Sequence, residues 1–312
     1  MVTSFTLLVL SLIALYMGAD WLVKGSSALA LRAKISPLVI GLTVVAFGTS
    51  APELVVSINS VANGQGDIAI GNVIGSNIFN ICAILGISAT ICPLQAKKQL
   101  TRLDIPLMIT ATILLTLFFW NGTLERWQGG VFTTCIIAYT LFSLYYSRKK
   151  SEENTVELEE QLRPWYTDTL YIVAGLFILV EGSQLLIDNA TTIARHIGVS
   201  EAVIGLTIVA AGTSMPELAT SIVAALKKNP EIALGNVVGS NLFNVLCISG
   251  ITSLIHPIEA KTVNHIDLLV MLGVSLLLLP LAWTRNRISR GEGFTLVLIY
   301  ILYTLWLLRE VI

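Results

Sequence analysis

Five long stretches of this 312-residue chain contain no Asp, Glu, Lys or Arg: Ile68–Ala96, Ile105–Leu124, Trp127–Ser147, Ile232–Ile258 and Leu268–Thr284. An apolar run of about 18 residues is long enough to cross a bilayer as a helix. Inside hydrocarbon, only helices and closed barrels satisfy their own backbone polar groups. The runs lack the period-two alternation of barrel strands. The predicted fold class is therefore an all-α membrane protein. Composition agrees, with 12% charged residues against about 25% in soluble domains.

The apolar pattern predicts ten transmembrane helices, over 3–23, 37–62, 67–93, 103–121, 127–147, 167–190, 201–226, 231–257, 264–284 and 292–311. Trp21, Trp120, Trp127, Tyr145, Tyr146, Trp165, Tyr166 and Trp283 fall near span ends, where amphipathic rings favour the headgroup layer. The first span has neither a basic leader nor a small-residue cleavage site, so it reads as retained. Of the 19 Lys and Arg residues, 15 fall in the loops 1–2, 3–4, 5–6, 7–8 and 9–10. The other face holds only Arg126, Arg195, Lys261 and Arg309. Positive charge marks the cytoplasmic side, so a multi-pass protein of the cell membrane with both termini outside is expected. Cys82, Cys92, Cys135 and Cys247 have no metal-ligand spacing and read as small buried hydrophobes. Arg148–Pro164 is hydrophilic, with glutamates at 152, 153, 157, 159 and 160, and reads as a solvated linker.

The chain also repeats itself. GLTVVAFGTSAPELVVS at 41–57 returns as GLTIVAAGTSMPELATS at 205–221, identical at 12 of 17 positions. GNVIGSNIFN at 71–80 returns as GNVVGSNLFN at 235–244, identical at 8 of 10. Both pairs are offset by 164 residues, as are Gly18 and Gly182, Leu22 and Leu186, and Ile40 and Ile204. That offset holds five predicted spans, and an odd number turns the second copy upside down. The expected organisation is a first five-helix half at 1–147, a cytoplasmic linker at 148–164 and an inverted half at 165–312. Inverted repeats place a substrate site near the midplane, between the halves.

Glu53 and Glu217 lie inside spans at matching positions. A carboxylate at a helix centre costs about 2.5–3.5 kcal/mol on insertion scales. No Lys or Arg stands mid-span to pair with them, which points to a cation from solution; a protonated, hydrogen-bonded pair is the alternative. Thr49 and Ser50 lie four and three residues before Glu53, and Thr213 and Ser214 repeat this before Glu217, so each set can share its own helix face. Pro52 and Pro216 remove the hydrogen bonds to the carbonyls of Gly48 and Gly212. Broken helices with exposed carbonyls are expected, in a cavity or protein interior. Asn72, Ser76 and Asn80 form a polar stripe mirrored by Asn236, Ser240 and Asn244. Gly71 and Gly75, like Gly235 and Gly239, admit a close helix neighbour. All donors are hard oxygens, which suit calcium and sodium and not copper or zinc. His196, His256 and His265 stand near span ends, away from the motifs.

The paired motifs GTSAPE with GNVIGSNIFN and GTSMPE with GNVVGSNLFN resemble the α-repeats of the calcium/cation antiporter superfamily, in its sodium/calcium exchanger branch. The resemblance covers essentially the whole chain. It implies antiport of calcium against sodium by alternating access, without enzymatic activity or a resident cofactor; a monomer is expected. It further implies an ion site from Ala46, Thr49, Ser50, Glu53, Ser76 and Asn80 with Ala210, Thr213, Ser214, Glu217, Ser240 and Asn244, the alanines acting through backbone carbonyls. Several family members carry aspartate in place of Asn244 or Asn80, so this site has two acids rather than three. Proton/calcium antiport, magnesium or manganese transport and a cation channel are the competing readings. An intramembrane enzyme finds no serine–histidine or paired-aspartate arrangement inside the spans. Asp20, one turn before Lys24, is expected as an interfacial ion pair. Glu181, opposite the apolar Met17 in the repeat, is expected to bond between helices.

Overall fold

The computed structural model describes residues 2–152, 164–198, 204, 208, 210–260 and 263–311, and these are helical almost throughout. Helix α1 spans Val2–Arg32, continuing past the predicted end at 23 because no Pro or Gly pair interrupts it. Ser36 then caps α2 (Pro37–Ile40), its hydroxyl accepting from the Val39 N–H at 3.3 Å. A π-helical turn at Gly41–Val45 leads into α3 (Ala46–Thr49). At Ser50 the backbone leaves helical geometry, with φ −87° and ψ 6°. From there α4 (Ala51–Ala62) departs at 45°. Pro52 fits because a first-turn N–H has no intrahelical acceptor to lose.

One long segment follows, made of α5 (Gly66–Phe79), a π-helical turn at Asn80–Leu85 and α6 (Gly86–Ile91). Strand β1 (Leu94–Gln95) and a π-helical turn at Leu100–Asp104 precede α7 (Ile105–Phe118). Strand β2 (Thr123–Leu124), α8 (Arg126–Glu152) and α9 (Trp165–His196) come next. The second motif copy gives α10 (Ala210–Thr213), a break at Ser214 with φ −89° and ψ 11°, and α11 (Met215–Leu226). It continues in α12 (Pro230–Leu242), a π-helical turn at Phe243–Ile248 and α13 (Ser249–Ile255). Strand β3 (Ile258–Glu259), α14 (His265–Trp283), β4 (Arg287–Ile288) and α15 (Arg290–Val311) complete the order.

Among the described residues, eight helical segments are long and apolar enough to cross a membrane, and the bent pair Pro37–Thr49 with Ala51–Ala62 makes a ninth. The predicted span 201–226 begins largely outside the described residues; its described part holds α10 and α11. Most of the linker 153–163, with four of its glutamates, also lies outside them. Leu141 on α8, Leu170 and Phe177 on α9 and Leu302 on α15 are exposed, a surface that suits lipid rather than water. Cys82 and Cys247 are buried as expected, but Cys135 is exposed on this outer face of α8. An apolar span has two environments for a thiol, core and lipid, and sequence does not separate them.

The two-residue strands were not anticipated. They pair antiparallel, β1 with β4 and β2 with β3. Since β3 lies 164 residues after β1 and β4 164 after β2, one pairing is made twice, each time between the two sequence copies.

Helices α1 and α9 cross in close contact, with Gly18 against the carbonyl of Gly175 and Gly175 against the backbone of Leu22. Arg32 on α1 pairs with the buried Asp168 of α9 at 3.1 Å. A Cβ on Gly175 would lie 2.7 Å from Leu22 N and 2.8 Å from Gly18 O. Both obstacles are backbone, so the helices must separate. Gly175→Val is expected to destabilise by about 1–3 kcal/mol, read as a lower thermal midpoint of the detergent-purified protein.

Candidate functional site

The two helix breaks bring the glutamates together. Glu53 is the third residue of α4 and Glu217 the third of α11. Each carboxylate thus sits where unpaired N–H groups and the helix dipole favour negative charge, and each turns back to its own backbone N–H. Both residues are only 1% exposed. Among the described residues no Lys or Arg pairs with either.

The hydroxyls do not serve their own helix. Ser50 donates to Glu217 Oε1 at 2.8 Å, and Ser214 donates to Glu53 Oε1 at 3.1 Å. Ser50-Ala51-Pro52-Glu53 and Ser214-Met215-Pro216-Glu217 have the spacing of a capping box. Yet neither serine caps its own helix; each hydroxyl instead donates to the glutamate carboxylate of the other motif copy. This corrects the expectation that each serine shares a face with the glutamate three residues on. The cause is the break at Ser50 and Ser214, which turns the hydroxyl away from the helix it precedes.

The second motif supports the first. Asn72 donates to the Glu53 carbonyl at 3.1 Å and to Ser57 Oγ at 3.0 Å. Asn236 donates to the Glu217 carbonyl at 3.2 Å and to Ser221 Oγ at 2.9 Å. Both asparagines therefore brace the glutamate helices, and their amides are engaged. Ser76 Oγ lies 3.3 Å from Ser214 Oγ. Thr49 donates to Asn236 Oδ1 at 3.2 Å, and Ser240 faces the Glu217 carboxylate. Asn80 begins one π-helical turn and Asn244 lies in the other. Such turns are frequent at functional positions. The amide of Asn80 donates to Asn241 Oδ1 at 3.0 Å.

Among the predicted site residues, five buried oxygens have no partner in hydrogen-bonding geometry among the described residues: Glu53 Oε2, Glu217 Oε2, Asn80 Oδ1, Asn244 Oδ1 and Ser240 Oγ. The Ala46 carbonyl accepts from Ser50 N at 3.0 Å and from Thr49 Oγ1 at 3.4 Å. Ala210 opens α10 and Thr213 closes it. The carbonyl freed by Pro216 is not open as expected: Ser183 on α9 donates to Gly212 O at 2.6 Å. At the repeat-equivalent of Ser183 stands Ala19, fully buried, which offers Gly48 no such cap.

Gly235 approaches the Leu38 carbonyl and Gly239 approaches Leu42 and Ala46, the close packing expected of them. For Gly71 and Gly75 the matching partners at 202–210 fall largely outside the described residues. His256 and His265 are exposed and bond the carbonyls of Pro257 and Trp120, away from the glutamates. Asp20 pairs with Lys24 at 2.7 Å as expected. Glu181 does not bond between helices: it is exposed on α9 and meets no partner among the described residues. Helical phase turns it outward.

Sequence reasoning missed Ser57, Ser221, Ser183, Asn77 and Asn241. The recurrence of Ser57 at Ser221 and Asn77 at Asn241 was the available signal; Ser183 had none. A further polar tie was also unforeseen. Tyr139 donates to the buried Asp104 at 3.0 Å, and its repeat-equivalent Tyr303 donates to Asp267 at 2.7 Å. Among the described residues, Asn236 shows three partners and Asn72 two. Asn236→Ala should therefore destabilise more than Asn72→Ala, by about 1–3 kcal/mol, in ion-free denaturation of the purified variants.

Comparison with known proteins agrees with this geometry. The family model described as sodium/calcium exchanger protein matches residues 3–145 and 167–309. The CaxA protein of Alkalimonas amylolytica is 37% identical over 97% of this chain and 98% of its own length. The sodium/calcium exchanger MaX1 of Methanosarcina acetivorans is 30% identical over 96% of this chain and 97% of its own. The solved structure of the sodium-calcium exchanger NCX_Mj soaked with Na+ and Sr2+ superposes with a TM-score of 0.84 at 32% identity, covering 96% of this chain and 97% of that one. This is an integral membrane protein, and it belongs to the sodium/calcium exchanger protein family.

Proposed function

We propose that this chain is a secondary active antiporter that exchanges calcium for sodium by alternating access. The observation that carries the reading is the pair of buried carboxylates, each with one oxygen lacking a donor and neither with a basic partner. A cation supplies the missing charge. Glu53 and Glu217 hold calcium between them. Ser50, Ser214, Ser76, Ser240, Thr49, Thr213, Asn80, Asn244 and the carbonyls of Ala46 and Ala210 complete the calcium and sodium positions. Calcium takes 6–8 oxygens at about 2.3–2.6 Å, and this donor set is large enough to meet that number. The relative NCX_Mj has been solved after soaking in sodium with strontium or calcium. The ions are cargo; the carrier works as a monomer without a resident cofactor.

In this reading ten transmembrane helices form two halves, 1–147 and 165–312, inverted about the site and joined by a cytoplasmic linker at 148–164. The exchanged strand pairs and the serine–glutamate hydrogen bonds between the copies support that arrangement. The charge distribution supports termini outside the cell membrane. Ser151→Cys should then react with an impermeant thiol reagent in inside-out vesicles and not in sealed cells; labelling in sealed cells would refute the orientation.

Two sodium ions neutralise the carboxylates as one calcium does, and the flanking hydroxyls and carbonyls accommodate a third. The cycle then moves one net charge, worth about 2.3 kcal/mol per 100 mV. Calcium uptake into sodium-loaded proteoliposomes should be accelerated by a positive interior set with potassium and valinomycin. Glu53→Gln and Glu217→Gln should each abolish it while the protein still inserts and stays monodisperse. Uptake driven equally by an outward proton gradient, without sodium or voltage dependence, would contradict sodium coupling.

A further inference from the structure

Away from the carboxylates, Asp20 on α1 holds two lysines. Lys24, one turn further along the same helix, lies 2.7 Å from Oδ2. Lys227 pairs with Oδ1 and also reaches the Asp20 backbone carbonyl at 3.4 Å. Lys227 is the C-cap of α11, the helix that begins beside Glu217. The pair therefore ties α1 to the far end of a glutamate helix, about 15 Å along its axis from the carboxylate.

The repeat-equivalent positions do not make this tie. The residues 164 positions from Asp20, Lys24 and Lys227 are Gln184, Asp188 and Asn63. Gln184 and Asp188 are exposed and bond to each other within α9, and Asn63 bonds back to Asn59 within its own turn. Packing follows the same division: α1 lies along α11, whereas α9 does not lie along α4. Val223 on α11 is 3% exposed, while its equivalent on α4, Asn59, is exposed. Helix α11 is thus covered by α1 up to its Lys227 end, whereas the equivalent stretch of α4 is not covered by α9.

We propose that Asp20 and Lys227 are positioning residues that lock the Lys227 end shut, and that their separation accompanies opening of the ion site towards that end. This rests on the alternating-access reading above. Asp20 is mostly buried and Lys227 partly so, so parting them uncovers charge that only water or a new partner satisfies. With no such pair at the repeat-equivalent positions Gln184, Asp188 and Asn63, the lock biases the resting carrier to one side rather than slowing both steps alike. The Lys24–Asp20 pair lies within α1 and moves with that helix, so this contact does not bridge to α11.

The test uses cysteine reporters at the repeat-equivalent positions, Asn59→Cys and Val223→Cys, in a chain lacking Cys82, Cys92, Cys135 and Cys247. Labelling by an impermeant thiol reagent is followed separately from each membrane face in sealed vesicles. Asp20→Asn and Lys227→Met should each raise labelling at Val223→Cys about fivefold and lower it at Asn59→Cys. The double variant should do no more than either single one, and Lys24→Met should change little. Unchanged Val223→Cys labelling in both single variants, or additive effects in the double, would overturn the lock. The carrier reading itself is judged in the cysteine-less reporter parent, with Asp20 and Lys227 intact, by its response to ions. If sodium and calcium shift the two reporters in opposite senses, alternating access stands even where the lock fails. If both ends label together under every ion condition, the carrier reading falls and the lock with it.

Discussion

Two carboxylates buried in an apolar bundle, with no basic side chain against them among the described residues, are the constraint on which the rest of the structure depends. Charge in hydrocarbon is tolerated only where something compensates it. Here the protein supplies partial compensation: a helix N-terminus at Ser50 and at Ser214, a hydroxyl from the other motif copy, and each glutamate's own N–H. These are dipoles, not charges. The helix breaks that look like defects create two N-termini at one depth, and Asn72 and Asn236 hold the glutamate helices against their neighbours.

The exchanged serines couple the two copies directly. Ser50 cannot leave Glu217 without disturbing the mouth of its own helix, and Ser214 stands in the same relation to Glu53. An ion that draws the carboxylates inward therefore acts on both copies at once. The copies are nevertheless unequal. Ser183 caps Gly212 while Ala19 leaves Gly48 without that hydroxyl, and Thr49 reaches Asn236. Near-identical motifs thus sit in different surroundings.

Much of this was legible in the sequence. Charge-free runs revealed the helical class because hydrocarbon length fixes span length, and the 164-residue offset paired Glu53 with Glu217 before any coordinates. Helix ends were less accessible: α1 runs on to Arg32, whose charge is met by Asp168, a partner distant in sequence. The partners of Ser50 and Ser214 were misjudged for the same reason. Spacing along a chain tells which residues share a face, but a break redirects the side chain. Asp104 and Asp267 were passed over because each lies at a span end among loop charges. Only the folded chain places the tyrosines of neighbouring helices over them.

The central claim is that an ion from solution replaces the missing counter-charge between Glu53 and Glu217. Calorimetric titration of the purified protein with calcium, in the absence and presence of sodium, tests it most directly. The account predicts saturable calcium binding that sodium weakens in competition and that the Glu53→Gln, Glu217→Gln double variant loses. Calcium binding that persists at wild-type affinity in that double variant would place the ion elsewhere and contradict the account.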